Sequence, residues 1–173
     1  MLNRNLENLI YHNTVKKTVY KTSVSIIGLQ EKVNKLILKK SVLENIIEII
    51  KSRYPIEACG ILLGKISGEK AFALKAIEIN NILGSTKSFW IDEKEWMDKI
   101  LKAKKQGLEY LGLFHSHYRD SVIPSMNDME RMIECPEEIW LILSYSPPEK
   151  IKYAAWRLDE KGLGLFKIDI TIE

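Results

Sequence analysis

Histidine is scarce in this chain, with three in 173 residues, and cysteine occurs only twice. Two cysteines allow one bridge at most. No apolar run is long enough to span a bilayer. The opening MLNRNLENLIYHN breaks with Asn and Glu where an export signal needs unbroken apolar residues. The expected compartment is therefore the cytoplasm, with no membrane association. Strong charge of one sign is missing too, since 26 Lys and Arg against 23 Asp and Glu leave +3. Without a basic run or a basic stripe interleaved with aromatics, nucleic acid is not an expected partner. What remains is a soluble globular composition, 46% hydrophobic and 28% charged, able to bury one substantial core. Glutamine occurs only twice beside abundant Lys, Ile and Glu, a tilt toward a hot environment that an AT-rich genome also produces.

Residues 1–33 differ in texture from the rest. Leu2, Leu6, Leu9 and Ile10 stand at helical spacing, and Lys16 to Ile27 reads as a strand closed by Gly28. This N-terminal extension is expected to dress the fold or to supply a homo-oligomer contact. Residues 34–173 form the main domain. NKLILKK suggests a first strand, and Ser41 an N-cap for a helix with Val42, Leu43, Ile46, Ile47, Ile49 and Ile50 on its apolar face. Pro55 ends that helix. Strands are expected over Ala58–Gly64 and Ala71–Ile79, separated by a turn at Gly68. A loop over Asn80–Ser88 precedes a second helix, opened by Asp92 and carrying Trp96, Ile100 and Leu101. LEYLGLFHSH is a strand, Ser125 starts a short helix, and IWLILS, IKYAAWRL and GLGLFKIDITI are further strands. Strands and helices alternate around one core, so the class is α/β with a mixed sheet flanked by helices. No internal repeat or low-complexity tract is present.

The chemistry concentrates in HSHYRDSVIPSMND, His115 to Asp128. Strand residues two apart share a face, so Leu111, Leu113, His115 and His117 are expected to line up, apolar first and imidazole last. An isolated pair of this kind is more often just a satisfied strand end. Pro124, Ser125 and Asp128 make a helix-start signature that would serve as capping alone. Together, H-x-H-x7-S-x2-D fixes four positions and would arise by chance roughly once per thousand chains of this length. A helix N-terminus facing the strand end brings Asp128 to both histidines and Ser125 beside them. Two imidazoles, one carboxylate and a water make an open, catalytic zinc site. A base for that water is also needed, and Glu57, just before a buried strand, is the best placed carboxylate.

PIEACGILLG followed by H-S-H-x7-S-x-x-D, with F-W-I-D before the second helix and L-G-L-F before the first histidine, resembles the JAMM, or MPN-plus, zinc metalloprotease family in its prokaryotic or archaeal form. The likeness runs from about Lys35 to Glu173. It implies an MPN-domain, cytidine-deaminase-like architecture and cleavage of isopeptide or peptide bonds at the C-terminal tail of ubiquitin or ubiquitin-like proteins. By this likeness His115, His117 and Asp128 hold Zn²⁺, Glu57 is general base and acid, and Ser125 stabilises the oxyanion. The substrate tail is expected along an exposed strand edge, flanked by the loops Ile82–Ser88 and Ser144–Lys152. The second histidine is commonly followed by Pro in that family, whereas here Tyr118 and Arg119 follow it.

Three rival readings stay open at this stage. One is a related hydrolase acting on a sulfur-carrier protein or another peptide. Another is a non-catalytic MPN scaffold. The third is a Ser-His-Asp hydrolase with Ser116 or Ser125 as nucleophile, although no nucleophile turn is recognisable. The cysteines carry two readings of their own. Cys59 follows Glu57 by two residues and Cys135 follows Asp128 by seven, so both are expected near the site. They are either two buried thiols, the simpler reading, or a bridge of the kind found in intracellular hyperthermophile proteins.

Overall fold

The computed structural model describes residues 33–148, 150–158 and 164–173. Within them strands and helices follow in the order β1 (Lys35–Leu38), α1 (Lys40–Arg53), β2 (Cys59–Ser67), β3 (Lys70–Ile79), α2 (Glu93–Lys105), β4 (Glu109–His117), α3 (Met126–Glu134), β5 (Ile139–Ser144), β6 (Lys152–Leu158) and β7 (Leu165–Ile172). The helix and strand expected inside residues 1–33 lie outside the described residues. Val33 itself is buried in the core.

The sheet is mixed, as the alternation of elements predicts. Its order is β1-β3-β2-β4-β5-β6-β7, and it closes into a barrel. β1 makes the closure by pairing in parallel with Lys70–Ala73 of β3 on one side and Asp169–Ile172 of β7 on the other. β4 and β5 are also parallel neighbours, joined across α3, and the remaining pairs are antiparallel. Two apolar layers result. On one face α1 buries Val42, Leu43, Ile46 and Ile50 against Leu36, Leu62, Leu111, Phe114, Leu141 and Leu143. On the other, Ile100 and Ala103 of α2 and Met132 of α3 pack on Ile61, Leu63, Tyr110, Leu113 and Trp140. Leu101, expected on the apolar face of α2, is exposed.

Helix α1 begins differently from expectation. Ser41 lies inside it, and the N-cap position is Lys39, which makes no side-chain cap. The amide of Lys40 instead donates to the carbonyl of Glu173 at 2.6 Å, so the end of the chain satisfies a helix-start donor. Burying each large aliphatic side chain of its inner face contributes about 1.5–3 kcal/mol, enough to fix the helix without a cap. Its last turn carries Lys51 and Arg53, favourable at the negative end of the helix dipole. The other two helices start as read: Asp92 accepts from the Glu95 amide, and Ser125 and Asp128 form a reciprocal capping box.

Strand β4 also departs from simple alternation. Leu62 pairs with Gly112 but Leu63 pairs with Tyr110, leaving Leu111 as the extra residue of a bulge. Leu111 therefore turns to the α1 face with Phe114, while Tyr110 and Leu113 share the opposite face. The expected line of Leu111 with Leu113 and the histidines is corrected: only Leu113 keeps to it. Gly112 makes the bulge feasible, with φ of +145° and Ile139 so close that a Cβ would stand 2.0 Å from its carbonyl oxygen. Position 112 is closed to any side chain.

The cysteines do not bridge. Cys59 and Cys135 are separate thiols. Cys59 Sγ donates to the Ile79 carbonyl at 3.4 Å, and Cys135 bonds Glu138. Helix α3 ends at Glu134, and Cys135 leaves it with φ of −136°, so helical extrapolation from Asp128 fails at this residue.

Glu138 is buried and accepts from the Tyr110 hydroxyl at 2.9 Å. Burial pushes its carboxyl up to about 7. The folded protein thus keeps a proton that the unfolded chain loses above about 4.5, so this contribution to stability is full below that pH and fades as pH rises through 7. Glu138→Gln should flatten the fall in melting temperature between pH 5 and 8, and an unchanged slope would contradict the assignment. Gly112→Ala should destabilise by about 3 kcal/mol or more, from strain and overlap combined. A denaturation midpoint equal to the parent's would show that the bulge is not obligatory.

Candidate metal centre and active site

Pairing of β2 with β4 places Cys59 opposite His115, and the parallel strand β5 sets Ser144 opposite His117. Both histidines are thereby fixed at one end of a central strand and fully buried. Helix α3 starts against this end, and its capping box sets Asp128. The Ser125 amide and hydroxyl donate to Asp128 Oδ2 at 2.7 and 2.6 Å, and the Asp128 amide donates back to Ser125 Oγ at 3.3 Å.

Three atoms converge as a result. His115 Nε2 and His117 Nε2 are 3.0 Å apart. Asp128 offers Oδ1 at 3.4 Å from the first and Oδ2 at 3.3 Å from the second. His117 Nδ1 lies 3.0 Å from the Ser121 carbonyl, an acceptor only, so that nitrogen carries the proton and Nε2 turns a lone pair to the cluster. Burial lowers the His115 pKa, with Asp128 pulling the other way. Burial alone would push the Asp128 carboxyl up, but His115, His117 and Ser125 outweigh it and hold Asp128 well below the usual carboxylate range. Two imidazole nitrogens and the carboxylate oxygens of Asp128 thus meet at one buried point, a donor set that suits a metal ion. His115, His117 and Asp128 can hold a metal ion.

Glu57 is buried beside them. Burial pushes its carboxyl up to about 7, with His117 pulling the other way and Asp128 adding to the rise. A cation in the cluster would draw that value down again. The wall behind His115 is aromatic. Phe89 lies 4.6 Å from its ring, centroid to centroid, and Trp140 meets it edge-on at 5.8 Å. Arg131, one turn after Asp128, donates to the Phe89 carbonyl and sits 4.5 Å over the Trp90 ring. Phe89, Leu113 and Trp140 also line a cavity of about 550 Å³ that none of the five site residues enters.

A family model described as prokaryotic homologs of the JAB domain matches residues 39–159. The chain belongs to this family. A protein of Pyrococcus furiosus named desampylase is 36% identical to this JAB-domain chain over 138 residues, covering 80% of it and 91% of the relative. One of Haloferax volcanii with the same name is 27% identical over 107 residues, covering 61% and 73%. Among solved structures, a protein from Desulfitobacterium hafniense superposes with a TM-score of 0.72 at 27% identity, covering 80% of this chain and 92% of that one. One from Salinibacter ruber, at 23% identity and a TM-score of 0.61, covers 79% and 90% and shares the fold.

All five residues singled out in the sequence therefore meet at one place, at the end of β4. Sequence reading missed the residues that hold them. Ser121 fixes the tautomer of His117 through a main-chain oxygen, which no side-chain pattern signals. Phe89 and Trp90 were visible as part of F-W-I-D, but nothing local ties them to His115. Neither serine proposed as a nucleophile is activated by a histidine. Ser116 Oγ accepts from the Ala58 amide, and the Ser125 hydroxyl bonds Asp128.

One divalent metal ion per chain should bind and raise the melting temperature, by about 2.7 kcal/mol of linkage at a hundredfold excess over Kd. A chelator should reverse it, and His117→Ala should show neither effect. Equal stabilisation of His117→Ala would move the metal elsewhere.

Proposed function

We propose that this chain is a zinc-dependent isopeptidase that cleaves the linkage at the C-terminal tail of a ubiquitin-like modifier in the cytoplasm, with a small archaeal modifier as the substrate class. The observation that carries the reading is the convergence of His115, His117 and Asp128 beside a buried Glu57. Membership of the JAB-domain family and the shared name of its two relatives, which denotes removal of small archaeal modifiers, support it. Zinc suits the donor set. Ligands about 2.0–2.1 Å from zinc at tetrahedral angles stand roughly 3.3–3.4 Å from one another, close to the 3.0, 3.4 and 3.3 Å found here. The finer architectural reading, cytidine-deaminase-like, is supported by helices on both faces of a mixed sheet with the metal cluster at a strand end. Residues 34–173 are the catalytic domain in this proposal and 1–33 an extension.

His115, His117 and Asp128 would hold the zinc ion, which would supply Lewis acidity toward water and the scissile carbonyl. Glu57 accepts the proton of the attacking water and returns it to the lysine amine as the C–N bond breaks. Burial beside the cluster places the carboxyl within reach of both transfers. Ser125 turns its hydroxyl from Asp128 to the substrate oxygen as negative charge develops there. The substrate tail enters between two exposed apolar pairs. Ile82 and Leu83 sit on the loop whose Asn81 and Ser85 bond the Glu57 backbone, and Ile123 and Met126 flank Ser125. Docking along the edge of β3 is less favoured, because the carbonyls of Ala76 and Glu78 already accept from Asn45 and Lys99. The filled ligand set argues against a scaffold.

Incubation with lysine-linked conjugates of small ubiquitin-like modifiers should release the modifier, and a chelator should stop it. Glu57→Gln should keep the metal and lose about 10²–10⁴-fold in kcat. Ser125→Ala should lose about 10²–10³-fold. A Glu57→Gln variant that turns over at the parent's rate would remove Glu57 from the mechanism.

A further inference from the structure

Glu57 and its two chain neighbours carry six polar main-chain groups, two each on Ile56, Glu57 and Ala58, and every one is engaged. The Ile56 amide donates to Arg53 at 2.8 Å and the Glu57 amide to Ser85 at 2.9 Å. The Glu57 carbonyl accepts from Asn81 Nδ2 at 2.9 Å. The remaining three groups are taken by β4 and the residue that follows it. Ser116 donates its amide to the Ala58 carbonyl at 2.9 Å, and Ser116 Oγ accepts from the Ala58 amide at 2.8 Å. The Ser116 hydroxyl donates to Tyr118 Oη at 3.2 Å, and Tyr118 donates to the Ile56 carbonyl at 2.7 Å.

These bonds run in one direction, from the Ala58 amide through two hydroxyls to the Ile56 carbonyl. They bridge the two peptide groups on either side of Glu57. Ser116 lies between the ligands His115 and His117, and Tyr118 follows directly, so the bridge ties the metal-ligand strand to the base. The Tyr118 ring is steadied by an edge-on contact with Tyr54 at 5.0 Å, and Tyr54 meets Tyr145 in the same way at 5.7 Å. Ser116 is fully buried. The Ser116 hydroxyl is buried and the Tyr118 hydroxyl half-buried, Tyr118 Oη also reaches the Ile50 carbonyl at 3.4 Å, and together these bonds hold residues 56–58 against the strand that carries His115 and His117.

We propose that Ser116 and Tyr118 are positioning residues for Glu57. The proposal rests on the reading of Glu57 as general base. Tyr118, at the position where the resembling family commonly has Pro, uses its hydroxyl to hold the peptide before Glu57. A misplacement of about 1 Å costs as much as 10²-fold in rate.

Tyr118→Phe removes the hydroxyl and keeps the ring against Tyr54. It should lower kcat about 10- to 100-fold while leaving KM and metal content at the parent's values. Amide exchange at Ala58 should quicken as the chain of bonds is cut. Ser116→Ala should behave in the same way if it folds. In a Glu57→Gln background, Tyr118→Phe should cause no further loss, because its effect passes through Glu57. An unchanged kcat in Tyr118→Phe, an equal loss in both backgrounds, or a loss of metal would each overturn the proposal. Failure of the base assignment would show separately, as full activity of Glu57→Gln with Tyr118 intact.

Discussion

Two imidazole nitrogens and a carboxylate sit within 3.0–3.4 Å of one another in a buried place. Much of the surrounding fold serves to hold them there. Neighbouring strands on both sides keep β4 from moving, a capping box fixes Asp128, and Phe89 and Trp140 exclude water from behind His115. A hydrogen bond to the Ser121 carbonyl commits His117 to the tautomer that a metal requires.

The same low-dielectric setting acts oppositely on the two carboxylates. Asp128 gains more from His115, His117 and Ser125 than burial costs, and stays ionised. Glu57 has no comparable set of partners, so burial dominates and its carboxyl rises to about 7. One buried setting thus holds one carboxyl low and raises the other. Separation of roles between two acids by desolvation and partners is a general device of acid–base enzymes. Here both effects trace to the pairing of β2 with β4, which brings Glu57 beside residues nearly sixty positions later in the chain.

Closure of the barrel limits the strand edges left free. Pairing of β1 with both β3 and β7 leaves short stretches of strand edge beyond the paired registers, and on β3 side chains from α1 and α2 cover two of the outer carbonyls. The exposed apolar residues near the cluster lie on the loop after β3, at Ile82 and Leu83, and around Ser125, at Ile123 and Met126.

The sequence by itself picked out His115, His117 and Asp128, which can hold a metal ion, the carboxyl of Glu57 beside them, the α/β class and the positions of most elements. Those features rest on local rules: alternation along a strand, apolar spacing on a helix, and the capping signature of Ser125 and Asp128. Tertiary structure decided the rest, wherever a distant group replaced a local one. Ser41 is a good cap by type, yet the Glu173 carbonyl satisfies the helix start instead. Leu111 obeys alternation until the bulge at Gly112, which is set by the close approach of Ile139. Cys135 follows the helical rule until α3 ends one residue earlier, and its thiol goes to Glu138 instead of Cys59. The bonds that orient Glu57 and His117 go largely to main-chain atoms. Main-chain atoms are the same in every residue, so no sequence pattern marks which of them the fold will bring together.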